Sequence, residues 1–237
     1  MRGTLRWARA DLRARRGQAL ITVAVVAGVV AALLLATMLL QGAVNPWQQL
    51  SARTRGADVL IYFQNGTNTT ELRSVAGIRA TGQPYQAASA TLEQGAVKSP
   101  VELRAMTPEP PAMSVPLVVA GTWLRSPAPD GVVLEASFAQ AVRVGVGDRI
   151  TVDGIDGTRV PMRVIGIADT ADQGFYPQWT PGLIWGQHRL LTRVEPNPSE
   201  TQEVVGLRLY DNSVVATGQV VQTIWNLFYG PSENSAV

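Results

Sequence analysis

Few residues of this chain have the type and spacing that catalysis requires. His188 is the only histidine, and no serine lies in a nucleophile-elbow pattern, so a triad of serine, histidine and carboxylate lacks its parts. Lys98 follows Val97, and no Gly-x-x-x-x-Gly-Lys motif is present, which excludes a P-loop in this sequence. We therefore predict that the chain is not an enzyme, that it holds no cofactor, and that His188 is a surface or helix-cap residue.

Two other patterns suggest ligand binding, but each has a simpler explanation. The segment from Gly145 to Gly147 lacks the third glycine of a dinucleotide-binding fingerprint and precedes a strand, so we predict a turn. Asp148, Asp153 and Asp156 could bind a cation, but their spacing differs from that of an EF-hand loop, and aspartate is common in turns. We therefore predict turn aspartates and no metal site.

Cysteine and tryptophan usage gives no further candidate site. The chain has no cysteine, which excludes disulfides and thiolate metal sites. Trp123, Trp179 and Trp185 are more typical of core or subdomain contacts than of a stacking site for a ligand.

Charge is divided unevenly along the chain. The first 18 residues carry six arginines and one aspartate, whereas the remainder carries 14 basic and 17 acidic residues. Nucleic-acid binding needs a basic patch on the folded domain, so this mildly acidic remainder argues against it.

Residues 19–40, which follow the arginine-rich start, contain no charged or strongly polar side chain. These 22 residues span roughly 33 Å as a helix, enough to cross a hydrocarbon core of about 30 Å. Positive charge beside a first membrane helix stays in the cytoplasm, so we predict that the N-terminus lies inside the cell and that the chain after about Gln41 lies outside it. A cleaved secretory signal is the alternative, but its apolar region is usually about 7–15 residues long.

Two further patterns concern the membrane. Five arginines recur at helical spacings of four and three, which predicts that residues 1–18 form a basic amphipathic helix on the lipid bilayer; an unordered charge cluster is the alternative. These are Arg2, Arg6, Arg9, Arg13 and Arg16. Small residues at every fourth position of the uncharged segment predict a packing face for another membrane helix, although alanine is common enough here to produce the pattern by chance. These are Ala24, Gly28, Ala32 and Ala36.

After the uncharged segment, β-like and helix-like patterns alternate. A short apolar strand, a short helix and two extended stretches give a β-α-β-β order, which is typical of an α+β domain. These segments are residues 57–63, 70–75, 78–92 and 101–105. A later series contains strands 131–134, 149–152, 160–167, 183–185 and 205–209, with helices 135–142 and 214–228. We expect the last helix to pack on the first sheet.

The predicted fold class is α+β, with one N-terminal transmembrane helix and an extracytoplasmic α+β domain whose β-α-β-β core holds an inserted β-rich subdomain. The predicted boundaries are 1–18 for the cytoplasmic helix, 19–40 for the transmembrane helix, 41–56 for a helical stalk interrupted near Asn45-Pro46, 57–120 with 200–230 for the α+β subdomain, and 121–199 for the inserted subdomain.

Several of these segments resemble the ABC-transporter permeases of the FtsX/MacB type. The start from Leu5 to Arg13, ahead of one apolar span, is similar to that family. So are Gly131 to Glu135 and the turn Val144 to Asp148, as well as the strands Val164 to Ile167 and Gly206 to Leu209.

The resemblance implies a permease subunit, or its N-terminal part, that couples a separate cytoplasmic ATPase to an extracytoplasmic domain for export or mechanotransmission. It implies a location in the plasma membrane, with the bilayer, the ATPase, and a second permease copy or further permease spans as partners. Because such permeases carry three more spans, we expect this chain to be the N-terminal portion of a longer permease or a degenerate remnant of one. The alternative is a stand-alone, single-span protein whose outer domain binds a ligand or an envelope partner; a hydrolase is the weakest hypothesis.

Overall fold

The computed structural model describes residues 16–95, 97–125 and 130–230. The chain divides into two compact units, Met1–Gln49 and Leu50–Val237. Residues 1–15, including Arg2, Arg6, Arg9 and Arg13 of the predicted basic helix, lie outside the described residues.

The first element is a long helix, α1 (Arg16–Thr54). The interruption predicted near Asn45-Pro46 is wrong, because the helix continues through both residues. A single proline deprives a helix of one hydrogen bond and bends it without necessarily ending it. Side chains from Ala24 to Met38 are all exposed. Within the part of the chain that was described, no helix was found that is long and apolar enough to cross a membrane.

The second unit contains ten strands among its described residues. They are β1 (Val59–Gln64), β2 (Ile78–Thr81), β3 (Tyr85–Gln94), β4 (Val97–Ala105), β5 (Leu117–Gly121), β6 (Gly131–Glu135), β7 (Arg149–Asp153), β8 (Arg159–Asp169), β9 (Gly182–Gly186) and β10 (Gln202–Leu209). The helices are α2 (Ala136–Val142), α3 (His188–Val194) and α4 (Val214–Tyr229), with 3₁₀ turns at Thr69–Ser74 and Pro198–Glu200.

Six of the strands form a closed ring of pairings. The order runs β3–β4–β9–β6–β8–β7 and returns to β3. Pairs β4–β9 and β6–β8 are parallel, and the other neighbours in the ring are antiparallel. Alternate side chains of these strands form the main apolar core, which includes Leu92, Leu103 and Ile150. Phe138 of α2 and Leu191 of α3 pack against the same core.

A second core lies where β1, β2 and β10 meet α4. Val220 and Ile224 of α4 pack with Phe63 and Leu207 of the sheet, and the rings of Phe63 and Phe228 lie 4.8 Å apart. Burying each such side chain contributes about 1.5–3 kcal/mol. The prediction that residues 214–228 form a helix on the first sheet is therefore confirmed.

The fold class of the second unit is mixed α and β, as predicted, and the predicted domain boundaries stay predictions. Two elements were not predicted, strand β5 and helix α3. Strand β5 follows a proline-rich segment and pairs with β8, about fifty residues further along the chain. Helix α3 has only seven residues, too few for a clear helical period.

Candidate functional site

The last turn of helix α1, from Leu50 onward, belongs to the second unit and is held there by hydrogen bonds. Thr54 is 1% exposed, and its hydroxyl donates to the Leu50 carbonyl at 2.8 Å. Arg55 follows with a φ of 50°, a left-handed conformation that ends the helix. The Gly56 amide then donates to the Ser51 carbonyl at 2.9 Å, which closes the last turn. These contacts end the helix at Thr54 and order the residues that follow it.

The proline-rich segment 106–116 forms hydrogen bonds with the end of this helix. The Val115 amide donates to the Thr54 carbonyl at 2.7 Å, and the Ser114 amide donates to the Arg55 carbonyl at 3.0 Å. The Ser114 hydroxyl accepts from the Ala57 amide at 3.2 Å. Ser114, like Arg55, has a positive φ, of 56°. Two residues with a positive φ, Arg55 and Ser114, therefore lie in one contact. Such backbone conformations cost free energy and persist only where surrounding contacts hold them in place. We name this contact, Thr54 to Ala57 with Ser114 and Val115, the helix junction.

A second loop reaches the helix junction from β8. A Cβ atom added to Gly56 would lie 3.2 Å from the Ala171 side chain, so the two segments are in close contact. Asp172, the next residue of this loop, donates its amide to the Thr170 hydroxyl at 3.1 Å. The Asp172 side chain is only 3% exposed and points to an arginine of the sheet.

That arginine, Arg104 on β4, is buried on the side of the sheet away from the main core. Val101, Leu103 and Ala105 of this strand belong to the main core, so the alternation of side chains places Glu102 and Arg104 on the other face. Arg104 is 1% exposed, although arginine is almost never fully buried unless it is paired.

Four polar or aromatic side chains surround the Arg104 guanidinium. Its Nε donates to Glu102 at 2.5 Å and its Nη1 to Asp172 at 3.1 Å. Its Nη2 donates to the Tyr62 hydroxyl at 3.4 Å, and it lies over the Tyr85 ring at 5.6 Å from the centroid. The guanidinium thus has two carboxylate partners and a cation–π contact. We call this group, Arg104 with Tyr62, Tyr85, Glu102 and Asp172, the arginine cluster.

Burial and charge act together in the arginine cluster. Burial by itself disfavours the charge on Arg104, but Tyr85, Glu102 and Asp172 outweigh it and raise the pKa of the guanidinium. Burial raises the pKa of the Tyr85 hydroxyl well above its ordinary value, and it also raises the pKa of Tyr62. Arg104 therefore stays charged and both tyrosines stay neutral. The cluster is a fixed electrostatic contact between β4 and the loop that reaches the helix junction.

Several atoms near the arginine cluster have no hydrogen-bond partner among the described residues. They are the Tyr85 hydroxyl, Asp172 Oδ1 and Gln173 Nε2, all buried. Within the same described part of the chain, no group of three histidine, aspartate or glutamate side chains could hold a metal ion.

The residues predicted as a membrane packing face lie on α1. Ala24, Gly28, Ala32 and Ala36 are exposed, and a Cβ atom added to Gly28 would meet no atom within 4 Å. Arg16 is the first residue of α1. The packing face and the contacts of Arg16 with the bilayer stay predictions.

The remaining predicted residues have ordinary structural roles. Asp148 accepts from the Gly145 amide at 2.8 Å, and Asp156 accepts from the Thr158 amide at 2.8 Å, so the prediction of turn aspartates is confirmed for these two. Asp153 lies within 4 Å of Arg159 as the last residue of β7. His188, the first residue of α3, is exposed.

The tryptophans divide between the interior and the surface. Trp185 is buried and its ring lies 6.0 Å from that of Trp123, so the prediction of core contacts is confirmed for this pair. Trp179 is 57% exposed, so it is not a core residue, and the alternative of a contact between subdomains stays a prediction for it. It lies in the loop between β8 and β9, where the chain is not constrained by strand pairing.

The arginine cluster was missed from the sequence, although one signal for it exists. In the segment Val101 to Ala105, apolar and charged residues alternate, which places Glu102 and Arg104 on one face of a strand. That pattern normally indicates a solvent-facing side. Only the pairing with Asp172, which is distant in sequence, shows that this face is covered.

Comparisons with known proteins place this geometry in a family. The family model described as "MacB-like periplasmic core domain" matches residues 19–221. No curated protein matches the chain significantly.

Several solved structures match the chain, although they share little sequence with it. The extracellular domain of the noncanonic ABC-type transporter YknZ from Gram-positive bacteria is 12% identical, with a TM-score of 0.38 over 74% of this chain and 97% of that one. The periplasmic region of MacB from Actinobacillus actinomycetemcomitans is 16% identical, with a TM-score of 0.35 over 71% and 84%. A domain of a permease-like protein from Porphyromonas gingivalis is 9% identical, with a TM-score of 0.34 over 70% and 71%.

The family model covers most of the sequence, including every strand and the three shorter helices up to the middle of α4. The resemblance found in the sequence is thereby confirmed, and the chain belongs to the family of MacB-like periplasmic core domains of FtsX/MacB-like ABC transporter permeases.

Proposed function

We propose that this chain is a membrane permease subunit, or its N-terminal part, that couples a separate cytoplasmic ATPase to movement of an extracytoplasmic domain. The observation that carries the proposal is the match to the MacB-like periplasmic core domain over residues 19–221. In this proposal the domain itself catalyses no reaction. Its output is export of a substrate or transmission of force to an envelope partner.

In the proposed arrangement, residues 1–18 lie on the cytoplasmic surface and residues 19–40 cross the plasma membrane. The supporting evidence is in the sequence: 22 uncharged residues follow six arginines. Residues 41–56 then continue outward as a stalk that ends at the helix junction. The junction supports this role because hydrogen bonds on both sides of Arg55 fix the end of the stalk to the outer domain.

Co-purification tests the coupling role. The tagged protein, extracted from membranes of its host, should carry an ATPase subunit that contains a P-loop and hydrolyses ATP. Leucine at Gly28 and Ala32 should reduce the amount of ATPase recovered severalfold, because large side chains prevent close approach of a companion helix. Val30→Leu, on the opposite side of α1, is the matched control and should leave recovery unchanged. Purification of the protein alone, without an ATPase, would favour the stand-alone alternative.

Single cysteines test the proposed topology, since the chain has none of its own. Val214 is 90% exposed, and a Val214→Cys variant should react with a membrane-impermeant maleimide on intact spheroplasts. An Ala8→Cys variant should react only after the membrane is opened. Labelling of residue 8 from outside, or protection of residue 214, would contradict the topology.

A further inference from the structure

Two arginines face each other on the outer surface of the ring of strands. Arg149 on β7 lies directly opposite Arg163 on β8. The neighbouring pair, Ile150 and Met162, points into the main core, so the two arginines point outward. Both are exposed. Like charges directly opposite each other on neighbouring strands destabilise a sheet unless something offsets their repulsion.

No ion pair of Arg149 or Arg163 exists among the described residues, which include every acidic residue except Asp11 and Glu233. The other basic residue of these two strands, by contrast, has acidic partners. Arg159, four positions before Arg163 on β8, is paired with Glu93 and lies near Asp153. At one end of the β7–β8 pair, Arg159 is neutralised by acidic side chains. At the other end, Arg149 and Arg163 have no acidic partner among the described residues.

A cleft of about 460 Å³ lies beside this arginine pair. Arg163 of β8 pairs with Arg149 of β7 on one side and with Gly131 of β6 on the other. Glycine has no side chain that could fill the cleft. Pro161 and Ile165 line the cleft together with both arginines. Its volume lies within the range of about 300–1,000 Å³ found for small-molecule sites.

One carboxylate, that of Asp130, also lines the cleft. It is already engaged, because Arg193 donates to its Oδ1 at 2.9 Å. The Asp130 carbonyl accepts from the Arg163 amide at 2.9 Å, so this residue holds β8 in place. Two guanidinium groups that form no ion pair with any described residue thus face a cleft with an apolar wall.

We propose that this cleft binds an amphiphilic anion, whose phosphate or carboxylate head lies between Arg149 and Arg163 and whose apolar part lies along Pro161 and Ile165. Guanidinium groups recognise such heads through paired, charge-assisted hydrogen bonds. The site does not depend on the proposed coupling role, because the chain by itself contains all of its residues.

Calorimetric titration of the full chain tests this site. The protein is placed in nanodiscs of neutral phosphatidylcholine, and hexyl phosphate is compared with inorganic phosphate. We expect hexyl phosphate to bind more tightly than inorganic phosphate. Arg149→Gln and Arg163→Gln should each weaken hexyl phosphate binding by about tenfold, the usual effect of losing a hydrogen bond to a charged group. Arg163→Lys, which keeps the charge but not the paired geometry, should give a smaller loss.

The matched control is Arg159→Gln, on the same strand and face, which should leave binding unchanged. Absence of binding to the unaltered protein would overturn the proposal. Equal loss in the Arg159 variant would also overturn it, since binding would then be a general effect of positive charge. Inorganic phosphate binding as tightly as hexyl phosphate would overturn the assignment of an amphiphile. Nanodiscs that contain phosphatidylglycerol distinguish the source of the head group: competition with hexyl phosphate indicates a lipid, and its absence indicates a soluble ligand.

Discussion

Replacing Arg104 with methionine should lower the free energy of unfolding of the outer domain by about 3–5 kcal/mol, the usual cost of removing one partner of a buried ion pair. Methionine fills much of the space but leaves Glu102 and Asp172 without their cation. Asp172 is 3% exposed, so water cannot replace the lost partner. Urea unfolding of the full chain in detergent, followed by tryptophan fluorescence, measures the change. Trp185 of β9 is buried beside Arg104 of β4, on the same face of the sheet, so its fluorescence reports on unfolding of this region.

The matched control is Arg159→Met. Arg159 also lies on a strand and pairs with a glutamate, but its side chain is 65% exposed, and exposed pairs contribute about 0–1 kcal/mol. A variant that combines Arg104→Met with Glu102→Gln and Asp172→Asn should recover much of the lost stability, since no buried charge is then left unpaired. A loss below about 1 kcal/mol for Arg104→Met would contradict the role given to the arginine cluster.

The sequence could predict elements whose causes are local. Apolar alternation around Ile150 and Val160 predicts the β7–β8 hairpin, and Asp156 marks its turn. Glu135 precedes a short apolar helix, and the structure shows why: its carboxylate accepts from the Ser137 and Phe138 amides and caps α2. Helical spacing of apolar residues predicts α4 itself, from Val214, Val221, Ile224, Trp225 and Phe228. Its buried face is only partly predicted, because Ile224 is buried together with Val220, whereas Val214, Val221 and Trp225 are exposed.

Features that depend on distant pairing could not be predicted in this way. Strand β7 pairs with β3 as well as with β8, and this second pairing closes the ring of strands. Nothing in the local pattern of either strand specifies it. The arginine cluster has the same cause, since Asp172 and Arg104 are 68 residues apart in sequence and are brought together by the fold. Charged residues on a strand predict an exposed face, and here a loop covers that face.

The helix junction was missed for a related reason. Ser114 and Val115 lie in a proline-rich segment that the sequence predicts only as a connection. Their function depends on backbone amides, which every residue except proline carries, so the type of side chain gives little signal. The positive φ of Ser114 is equally invisible, because serine shows no general preference for it. Such a contact is found from the hydrogen bonds of the folded chain.

Replacing Val115 with proline should disconnect the stalk from the outer domain while leaving the ring of strands folded. Proline removes the amide that donates to the Thr54 carbonyl at 2.7 Å. It also disfavours the helical φ and ψ region for the preceding residue, and Ser114 is held at a φ of 56°. Loss of one such bond costs about 1–3 kcal/mol locally, too little to unfold the main core, which lies elsewhere in the sheet.

The expected functional effect of Val115→Pro is uncoupling. The assay uses the Val214→Cys variant in complex with the co-purified ATPase. Binding of a non-hydrolysable ATP analogue should change the rate of maleimide labelling at residue 214 about twofold or more. Val115→Pro should abolish that change while the ATPase is still recovered. Ala112→Pro is the matched control, because Ala112 is exposed in the same loop and its amide makes no hydrogen bond among the described residues. An unchanged nucleotide response in the Val115 variant would show that movement reaches the outer domain without the helix junction. Arg104→Met lowers the stability of the outer domain but leaves the backbone amide of Val115 in place. Comparison of the two variants therefore separates loss of coupling from loss of stability.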